Sequence, residues 1–227
     1  MIRKVACCFI LAIILINVLT GRTYAENSEV FYRIETNDKK IALTFDYGPH
    51  PRKTKQILDI LDSYGVTATF FVIGQNVVNY PEAMELIANS GCEIGNHTYS
   101  HKRFGNMSVE QMKSEFERCK KTLSDDFGVE PTLMRPPEGF CSKELCLVSD
   151  QMNYDVILWS IDTLDWARTP ASVIVDNVLK NARGGDIILM HDYTSGGCHT
   201  CEALGIIIPA LIERGFEFVT VSELIEK

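Results

Sequence analysis

The sequence is poor in positive charge. It contains 22 lysine and arginine residues against 30 aspartate and glutamate residues, which gives a formal net charge of -8 at pH 7. Proteins that bind nucleic acid need a basic face to offset the phosphate charge. We therefore expect no nucleic-acid partner.

The chain also lacks a segment that could divide it. No low-complexity stretch and no Gly/Ser-rich linker interrupts the ~200 residues after the amino-terminal segment, and this length fits one domain with a substantial core. We predict a single domain over residues 26–227 and a monomer.

A long apolar run is missing too. The apolar stretch at the amino terminus, residues 5–19, is shorter than the ~20 residues that a membrane-spanning helix usually needs. It follows two basic residues and precedes the small-residue site Thr23-Tyr24-Ala25, a pattern typical of a secretory signal peptide. We predict a signal peptide over residues 1–25 and a secreted or cell-envelope protein. A membrane partner is expected only if the leader stays uncleaved as an anchor.

Cysteines remain after the predicted leader, at Cys92, Cys119, Cys141, Cys146, Cys198 and Cys201. In an exported protein the first expectation is disulfide bonds, whose connectivity the sequence does not fix. Two close pairs, Cys141/Cys146 and Cys198/Cys201, also suit a four-thiolate zinc site. However, zinc ribbons usually space both pairs as CxxC and occur in reducing compartments. The first two cysteines fall in a predicted strand and a predicted helix, where a small core residue is equally compatible.

Short apolar runs alternate with amphipathic stretches along the predicted domain. Such runs are typical of strands buried on both faces, and their alternation with helices indicates a parallel sheet covered by helices. The predicted strands are residues 41–45, 68–73, 92–95, 132–134, 155–161, 186–190 and 216–220. The predicted helices are residues 53–64, 81–90, 109–127, 142–152, 171–182 and 202–214. About seven such units predict an α/β fold, either a barrel or an open doubly wound sheet.

Polar side chains follow five of these apolar runs. Because the carboxyl ends of parallel strands meet at one rim, we expect these side chains to lie together. They are Asp46, His97, His101, Arg135, Asp162, Asp165 and His191. The two histidines of the HTYSH segment are four residues apart, so on one helical turn both imidazoles would face one metal such as zinc. Each residue also has an ordinary interpretation, as a turn aspartate, a surface or buried histidine, or an ion pair between Arg135 and Asp165.

Five segments resemble, in the same order, the five motifs of the polysaccharide deacetylases with a NodB homology domain, carbohydrate esterase family four. The segments are TFDYGP, HTYSH, RPPEG, DTLDW and LMH. The similarity extends over nearly the whole chain after the leader. It implies a distorted (β/α) barrel with about seven parallel strands. It also implies a metal-dependent hydrolase that removes acetyl groups from N-acetylglucosamine residues of peptidoglycan or a chitin-like polysaccharide. The implied cofactor is a divalent metal, zinc in the first place, with cobalt, manganese or nickel as alternatives.

The resemblance assigns reacting roles to four residues. Asp46 would be the general base, His191 the general acid that protonates the departing amine, and His97 and His101 would hold the metal. This division of labour suits amide hydrolysis. A divalent metal polarises the weakly electrophilic carbonyl. A base and an acid on opposite sides of the substrate each contribute ~10²- to 10⁴-fold to the rate.

The remaining motif residues would support this chemistry. Arg135 would orient Asp46, and Asp165 would orient His191 or the arginine. Three residues would shape the pocket around the acetyl group, namely Pro137, Trp166 and Leu189. Trp166 has an alternative interpretation as a core aromatic.

The first motif departs from the family pattern. The family has two consecutive aspartates before Gly-Pro, and the second, a metal ligand, is replaced here by Tyr47. A phenol with a pKa near ~10 must lose its proton before it resembles a carboxylate ligand. Three outcomes follow: a two-histidine site completed by water, ligation through Tyr47 or another group, or a catalytically weak glycan-binding homologue. We expect activity, because the acid, the base and both histidines are retained.

Other functions remain open from the motifs alone. An O-acetyl esterase acting on xylan would use the same five motifs, since an ester is an easier acyl group to hydrolyse. A non-enzymatic glycan-binding protein would need the groove but neither Asp46 nor His191. Glu138, in RPPEG, stands where relatives often carry an aromatic residue, and we interpret it as a solvated loop carboxylate.

Overall fold

The computed structural model describes residues 30–194 and 196–226. The predicted leader, residues 1–25, lies outside the described residues, so the signal-peptide prediction stays a prediction. In the part of the chain that is described, no helix has the length and hydrophobicity needed to cross a membrane.

The described residues form nine strands of one curled sheet. They are β1 (Val30–Phe31), β2 (Lys40–Asp46), β3 (Thr69–Val72), β4 (Glu93–Asn96), β5 (Leu133–Met134), β6 (Asp155–Ile157), β7 (Ile161–Asp162), β8 (Ile187–His191) and β9 (Glu217–Phe218). Along the sheet the order is β1-β6-β5-β4-β3-β2-β8-β7, with β9 beside the start of β2, and each of these pairings is parallel. The predicted distorted α/β barrel is confirmed.

One predicted strand is wrong in its extent. Residues 155–161 fall in two short strands: β6 is second from one end of the strand order, inside β1, and β7 is at the other end. The chain between them crosses the open side of the barrel. On the way the Leu158 N–H donates to the Phe31 carbonyl at 2.7 Å and the Ser160 N–H to the Ile187 carbonyl at 3.0 Å. The apolar run continues through residues 156–158 because these stay buried, whereas Trp159 is half-buried and Ser160 is exposed where the hydrogen-bond partners change.

Eight helices of the described chain connect or follow the strands. They are α1 (Lys53–Tyr64), α2 (Gly74–Asn79), α3 (Pro81–Ala88), α4 (Val109–Phe127), α5 (Lys143–Met152), α6 (Ala171–Asn181), α7 (Thr200–Glu213) and α8 (Val221–Ile225). Helices α1 and α4 have the predicted bounds, and α4 begins at a capping box in which Ser108 and Gln111 exchange hydrogen bonds. Helices α2 and α8 were not predicted, because five or six residues carry too little periodicity to be recognised.

Strand β2 shows how the sheet divides its side chains between two sides. Ile41, Leu43 and Phe45 belong to the large apolar cluster that packs against the helices. Ala42 belongs to a second cluster inside the curl of the sheet. Because side chains alternate along a strand, Asp46 points inward with Ala42. The strand therefore delivers its terminal carboxylate to the mouth of the half-barrel.

The expected disulfides are not formed. None of the six cysteines of the described chain takes part in a disulfide bond. Two of the thiols donate hydrogen bonds to backbone carbonyls instead. Cys119 Sγ donates to the Val72 carbonyl at 3.5 Å, and Cys198 Sγ donates to the His191 carbonyl at 3.7 Å. The four-thiolate zinc alternative is also wrong, since no group of three or more His, Cys, Asp or Glu side chains among the described residues is placed to hold a metal.

Candidate active site

Residues from four strand ends meet in one cavity at the carboxyl side of the barrel. Asp46 ends β2 and lies opposite His191, the last residue of β8. The cavity has a volume of about 450 Å³. Its lining residues are Asp46, Tyr47, His97, Arg103, Glu138, Trp159, Asp162, Trp166, Leu189 and His191. The expectation that the polar strand ends share one rim is therefore confirmed for Asp46, His97, Asp162 and His191, whereas His101, Arg135 and Asp165 are not among the lining residues.

Arg135 fixes the position of the Asp46 carboxylate. The fully buried guanidinium donates from one terminal nitrogen to Asp46 Oδ1 at 2.7 Å and to Thr44 Oγ1 at 2.8 Å. Its other nitrogens donate to the carbonyls of Ile157 at 3.1 Å and Leu158 at 3.0 Å. The arginine is thereby held by the segment that crosses the barrel. The alternative ion pair between Arg135 and Asp165 is wrong.

The Asp46 carboxyl is kept ionised by this arrangement. Burial acts to raise its pKa, but the charge of Arg135, the largest opposing influence, holds the pKa of Asp46 below its ordinary value. The second oxygen, Oδ2, lies 3.6 Å from His97 Nε2. Asp46 can therefore accept a proton near neutral pH.

His97 presents an unused nitrogen to the cavity. Its Nδ1 lies 2.8 Å from the Arg135 carbonyl, which can only accept, so Nδ1 carries the proton and Nε2 holds the lone pair. Nε2 is buried and has no hydrogen-bond partner. Burial, the largest influence, lowers the pKa of His97 and keeps the ring neutral.

His101 presents a second unused nitrogen. Its Nε2 is also buried without a partner, and burial lowers the pKa of His101 to about 4. The two rings have centroids 4.8 Å apart. However, the predicted helical turn is wrong: the segment after β4 is a loop, in which Thr98 and His101 have φ of 69° and 53°. The loop is held from below by Glu115, which accepts from the Ser100 N–H at 2.8 Å and from Ser100 Oγ at 2.9 Å.

These two imidazoles fit a bound divalent metal. Neutral imidazole nitrogens are good zinc ligands. A buried nitrogen without a hydrogen bond destabilises the fold, and a bound metal would remove this cost. Tyr47 stands where a carboxylate ligand would be, and its ring centroid lies 5.9 Å from that of His97 and 4.7 Å from that of His101. Burial, followed by Asp46, raises the pKa of Tyr47, so the phenol keeps its proton. The donor set is thus two histidines, without the expected carboxylate.

His191 and Asp165 form a second pair across the cavity. His191 Nδ1 lies 2.7 Å from Asp165 Oδ1, and the His191 N–H donates to Asp165 Oδ2 at 2.8 Å. Thr200 Oγ1 also donates to Oδ2, at 2.6 Å. Burial acts to lower the pKa of His191, but the hydrogen bond and charge of Asp165 outweigh it and raise the pKa above its ordinary value. The imidazolium form is therefore favoured, as a proton donor requires.

The cavity walls agree in part with the predicted pocket. Leu189 and Trp166 line the cavity, and Trp166 is 49 % exposed with its Nε1 donating to Asp162 Oδ1 at 3.3 Å, so its interpretation as a core aromatic is wrong. Pro137 is buried and is not among the lining residues, whereas the next residue, Glu138, is.

The sequence interpretation missed two lining residues, Trp159 and Arg103. Trp159 was assigned to a strand and Arg103 lies outside the five motifs. One signal was available: Gly139 has φ of 66°, and a Cβ there would lie 2.7 Å from the Trp159 ring, so the glycine after Glu138 marks a close approach.

Similarity to known proteins agrees with this geometry. Residues 33–157 match the family model described as polysaccharide deacetylase. A peptidoglycan N-acetylglucosamine deacetylase of Bacillus cereus is 40 % identical over 198 residues, which cover 86 % of this chain and 92 % of the relative. The chain belongs to the polysaccharide deacetylase family. The membership and the enzyme class predicted from the five motifs are confirmed.

Two solved structures of the polysaccharide deacetylase family share the fold. A peptidoglycan N-acetylglucosamine deacetylase in complex with a naphthyl N-hydroxybenzamide superposes with a TM-score of 0.82 at 36 % identity, covering 88 % of this chain and 94 % of that one. A family-four pseudoenzyme from Bacillus anthracis superposes with a TM-score of 0.81 at 28 % identity, covering 87 % and 69 %, and a mutant of it has restored activity. Polysaccharide deacetylases therefore include both active and inactive members of this shape.

Proposed function

We propose that this protein is a metal-dependent N-deacetylase acting on N-acetylglucosamine-type residues of peptidoglycan. The observation that carries the proposal is the pair of buried, unpartnered Nε2 atoms of His97 and His101 beside an ionised Asp46, with a protonated His191 in the same cavity. The catalytic domain comprises residues 26–227, and residues 1–25 direct its export. The relative of Bacillus cereus, named for peptidoglycan, supports a cell-envelope location.

The proposed roles follow from the protonation states. Asp46 takes a proton from the water that attacks the acetyl carbonyl, and Arg135 holds the carboxylate in place and keeps it ionised. His191 gives its Nε2 proton to the departing amine, and Asp165 holds the ring through Nδ1. His97 and His101 would hold the cation; when bound, a cation of the zinc class polarises the carbonyl and lowers the pKa of water toward ~7.

The pocket supplies orientation rather than bond-making groups. Leu189, Trp166 and Trp159 line the cavity and offer apolar surface for the acetyl methyl group. An acetyl group fits a cavity of about 450 Å³ together with the sugar that carries it. Pro137 contributes indirectly, by fixing the backbone that places Glu138.

Mass spectrometry of digested peptidoglycan tests the proposed reaction. The purified chain, supplied with zinc, is expected to remove acetyl groups from sugar nitrogens and leave free amines. Acetylated xylan, treated in parallel, distinguishes the O-acetyl esterase. Loss of acetyl from xylan but not from peptidoglycan or chitooligosaccharides would replace the proposed function by the esterase.

The pH profile of the reaction should depend on Asp165. Asp165 raises the pKa of His191, and the acid must be protonated to act, so activity is lost as the pH rises through that pKa. Asp165→Asn removes the charge that raises the pKa of His191, so we expect the alkaline limb of the profile to move to lower pH. Rates of acetate release measured across pH check this, with Asp176→Asn, an exposed aspartate of α6, as the control. An alkaline limb at the same pH in both variants would remove His191 from the role of acid.

One observation favours a second candidate function. Tyr47 replaces the carboxylate ligand, and a pseudoenzyme is among the structures that superpose well. The alternative is a catalytically weak homologue that binds glycan in the same cavity. It differs from the proposed enzyme in one measurable property, the affinity of the site for metal.

Tyr47→Asp addresses that property. If the missing carboxylate limits the site, the substitution restores a two-histidine, one-carboxylate set and should tighten zinc binding by about 10- to 100-fold. Calorimetric titration with zinc measures this, and acetate release should rise with metal occupancy. The His97→Ala/His101→Ala double variant is the negative control and should bind no stoichiometric metal. Equal zinc affinity in Tyr47→Asp and the parent would mean that another group already completes the ligand shell.

A further inference from the structure

An ion pair between Arg103 and Glu138 lies at the mouth of the cavity. Arg103 Nε donates to Glu138 Oε1 at 2.8 Å, and both residues line the cavity. The side chains are 83 % and 50 % exposed. Such exposed pairs contribute little to folding stability. Folding therefore does not account for the placement of two opposite charges at the entrance of the site.

The loops that carry this pair also carry the proposed catalytic groups. Arg103 follows His101 by two residues, and Glu138 follows Arg135 by three. Glu138 has φ of 57°, in the left-handed region that a residue with a side chain seldom adopts. Backbone conformations of this kind are concentrated at functional sites. The earlier interpretation of Glu138 as a solvated loop carboxylate is therefore incomplete.

The Arg103 guanidinium keeps most of its donors free. Arginine has five N–H donors, and the Nε–H is the one that Glu138 engages. Among the described residues, neither terminal nitrogen of Arg103 has a hydrogen-bond partner. A guanidinium held at Nε presents the edge formed by its two terminal nitrogens, and that edge matches the two oxygens of a carboxylate.

The surrounding charge makes this edge distinctive. Besides Arg103 and its partner Glu138, the lining contains two carboxylates, Asp46 and Asp162, and one proposed cation, His191. Within the described lining, Arg103 is the only lysine or arginine, and Arg135 is buried behind Asp46. The chain as a whole carries a net charge of -8. Apart from His191, the proposed acid, Arg103 is therefore the one cation of the described lining that can attract an anionic group at this mouth.

We propose that Arg103 binds a carboxylate on the substrate glycan and so selects N-acetylated glycans that carry an acidic substituent over neutral ones. Glu138 acts as the positioning residue that turns the guanidinium edge toward the substrate. The ligand class is an N-acetyl glycan bearing a carboxylate beside the reacting sugar, such as an ether-linked lactic acid. The inference rests on the proposed function, and it narrows the substrate.

Two glycans of equal length provide the test. One is chitotetraose, which is neutral, and the other is a peptide-free peptidoglycan tetrasaccharide, whose lactyl groups are ionised. Arg103→Gln should lower kcat/KM on the peptidoglycan tetrasaccharide by about tenfold, mainly through KM, and leave chitotetraose within about twofold. Glu138→Gln should cause a smaller loss in the same direction. The difference between the two glycans should shrink as salt is added, because the pair is exposed.

Lys102→Gln is the matched control. Lys102 is the exposed neighbour of Arg103, carries the same charge and does not line the cavity. It should leave both kcat/KM values unchanged. An equal loss in Lys102→Gln and Arg103→Gln would reduce the effect to general charge and overturn the proposal.

A binding measurement separates this inference from the proposed function. Calorimetry with Asp46→Asn protein, with and without Arg103→Gln, reports glycan affinity without turnover. Tighter binding of the peptidoglycan tetrasaccharide than of chitotetraose, abolished by Arg103→Gln, supports the role of Arg103 even if no acetate is released. Equal affinity for the two glycans in the presence of Arg103 would overturn it, whatever the enzymatic result.

Discussion

Replacing Asp46 with asparagine is expected to reduce acetate release by about 10³-fold and to leave metal binding almost unchanged. Asparagine has the same shape and keeps an oxygen that can accept from Arg135, but it cannot take a proton. The two proposed metal ligands, His97 and His101, keep their unpartnered Nε2 atoms. Turnover and metal affinity should therefore separate in this variant.

Acetate release and calorimetric zinc titration on the same preparation check the Asp46→Asn result. Asp59→Asn, a change of the same kind at an exposed aspartate of α1 that pairs with Lys55, should alter neither quantity. A variant that keeps more than about a tenth of the parental rate would show that Asp46 is not the base. Loss of metal together with activity would instead make Asp46 a ligand.

Replacing Arg135 with methionine is expected to lower the free energy of unfolding by about 3–5 kcal/mol. Methionine fills much of the space but removes four hydrogen bonds and leaves the buried Asp46 carboxylate without its cation. Two of the lost bonds go to Ile157 and Leu158, so the segment that crosses the barrel also loses its inner attachment. Urea denaturation measures the change.

The matched control for Arg135→Met is Lys180→Met, which breaks an exposed ion pair with Asp176 on α6. It should leave the free energy of unfolding unchanged within experimental error, because exposed pairs contribute little to stability.

The effect of pH on the stability difference between the parent and Arg135→Met has a defined sign. The folded pKa of Asp46 is lowered, so its stabilising contribution is complete above the ordinary value of 3.8 and is lost as the pH falls through the lower folded pKa. The stability difference between parent and Arg135→Met should therefore narrow in acid. A loss below about 1 kcal/mol at neutral pH would mean that the pair is not structurally important.

The elements that the sequence predicted well are those whose local signals agree with their surroundings. Helix α4 has a capping box at Ser108 and a left-handed glycine at Gly128, and its observed bounds are the predicted ones. Strand β2 is apolar from Ile41 to Phe45 apart from Thr44 and has a polar terminus, because it is buried between its neighbours and ends at the site. The gathering of Asp46 and His191 followed from parallel topology alone.

The predictions that failed concern contacts made outside local sequence. Residues 155–161 look like one strand, but their hydrogen-bond partners change from β5 to β8 midway, and no residue signals the change. The pair between Arg103 and Glu138 joins two loops that are 35 positions apart in the chain. The spacing of apolar residues along the sequence carries no information on which two loops come together. The left-handed backbone at His101 was not predicted for the same reason, since a histidine in the sequence does not indicate a positive φ.

We expect the two buried histidines, the ionised aspartate and the protonated histidine to form a working metal-dependent deacetylase despite Tyr47. The most direct test is the time course of acetate release from peptidoglycan by chain freed of metal with a chelator, before and after zinc is restored. We predict no release from the metal-free chain and sustained release once zinc is present, with the His97→Ala/His101→Ala variant inactive throughout. Equal release with and without metal, or no release from folded, zinc-loaded protein, would contradict this account.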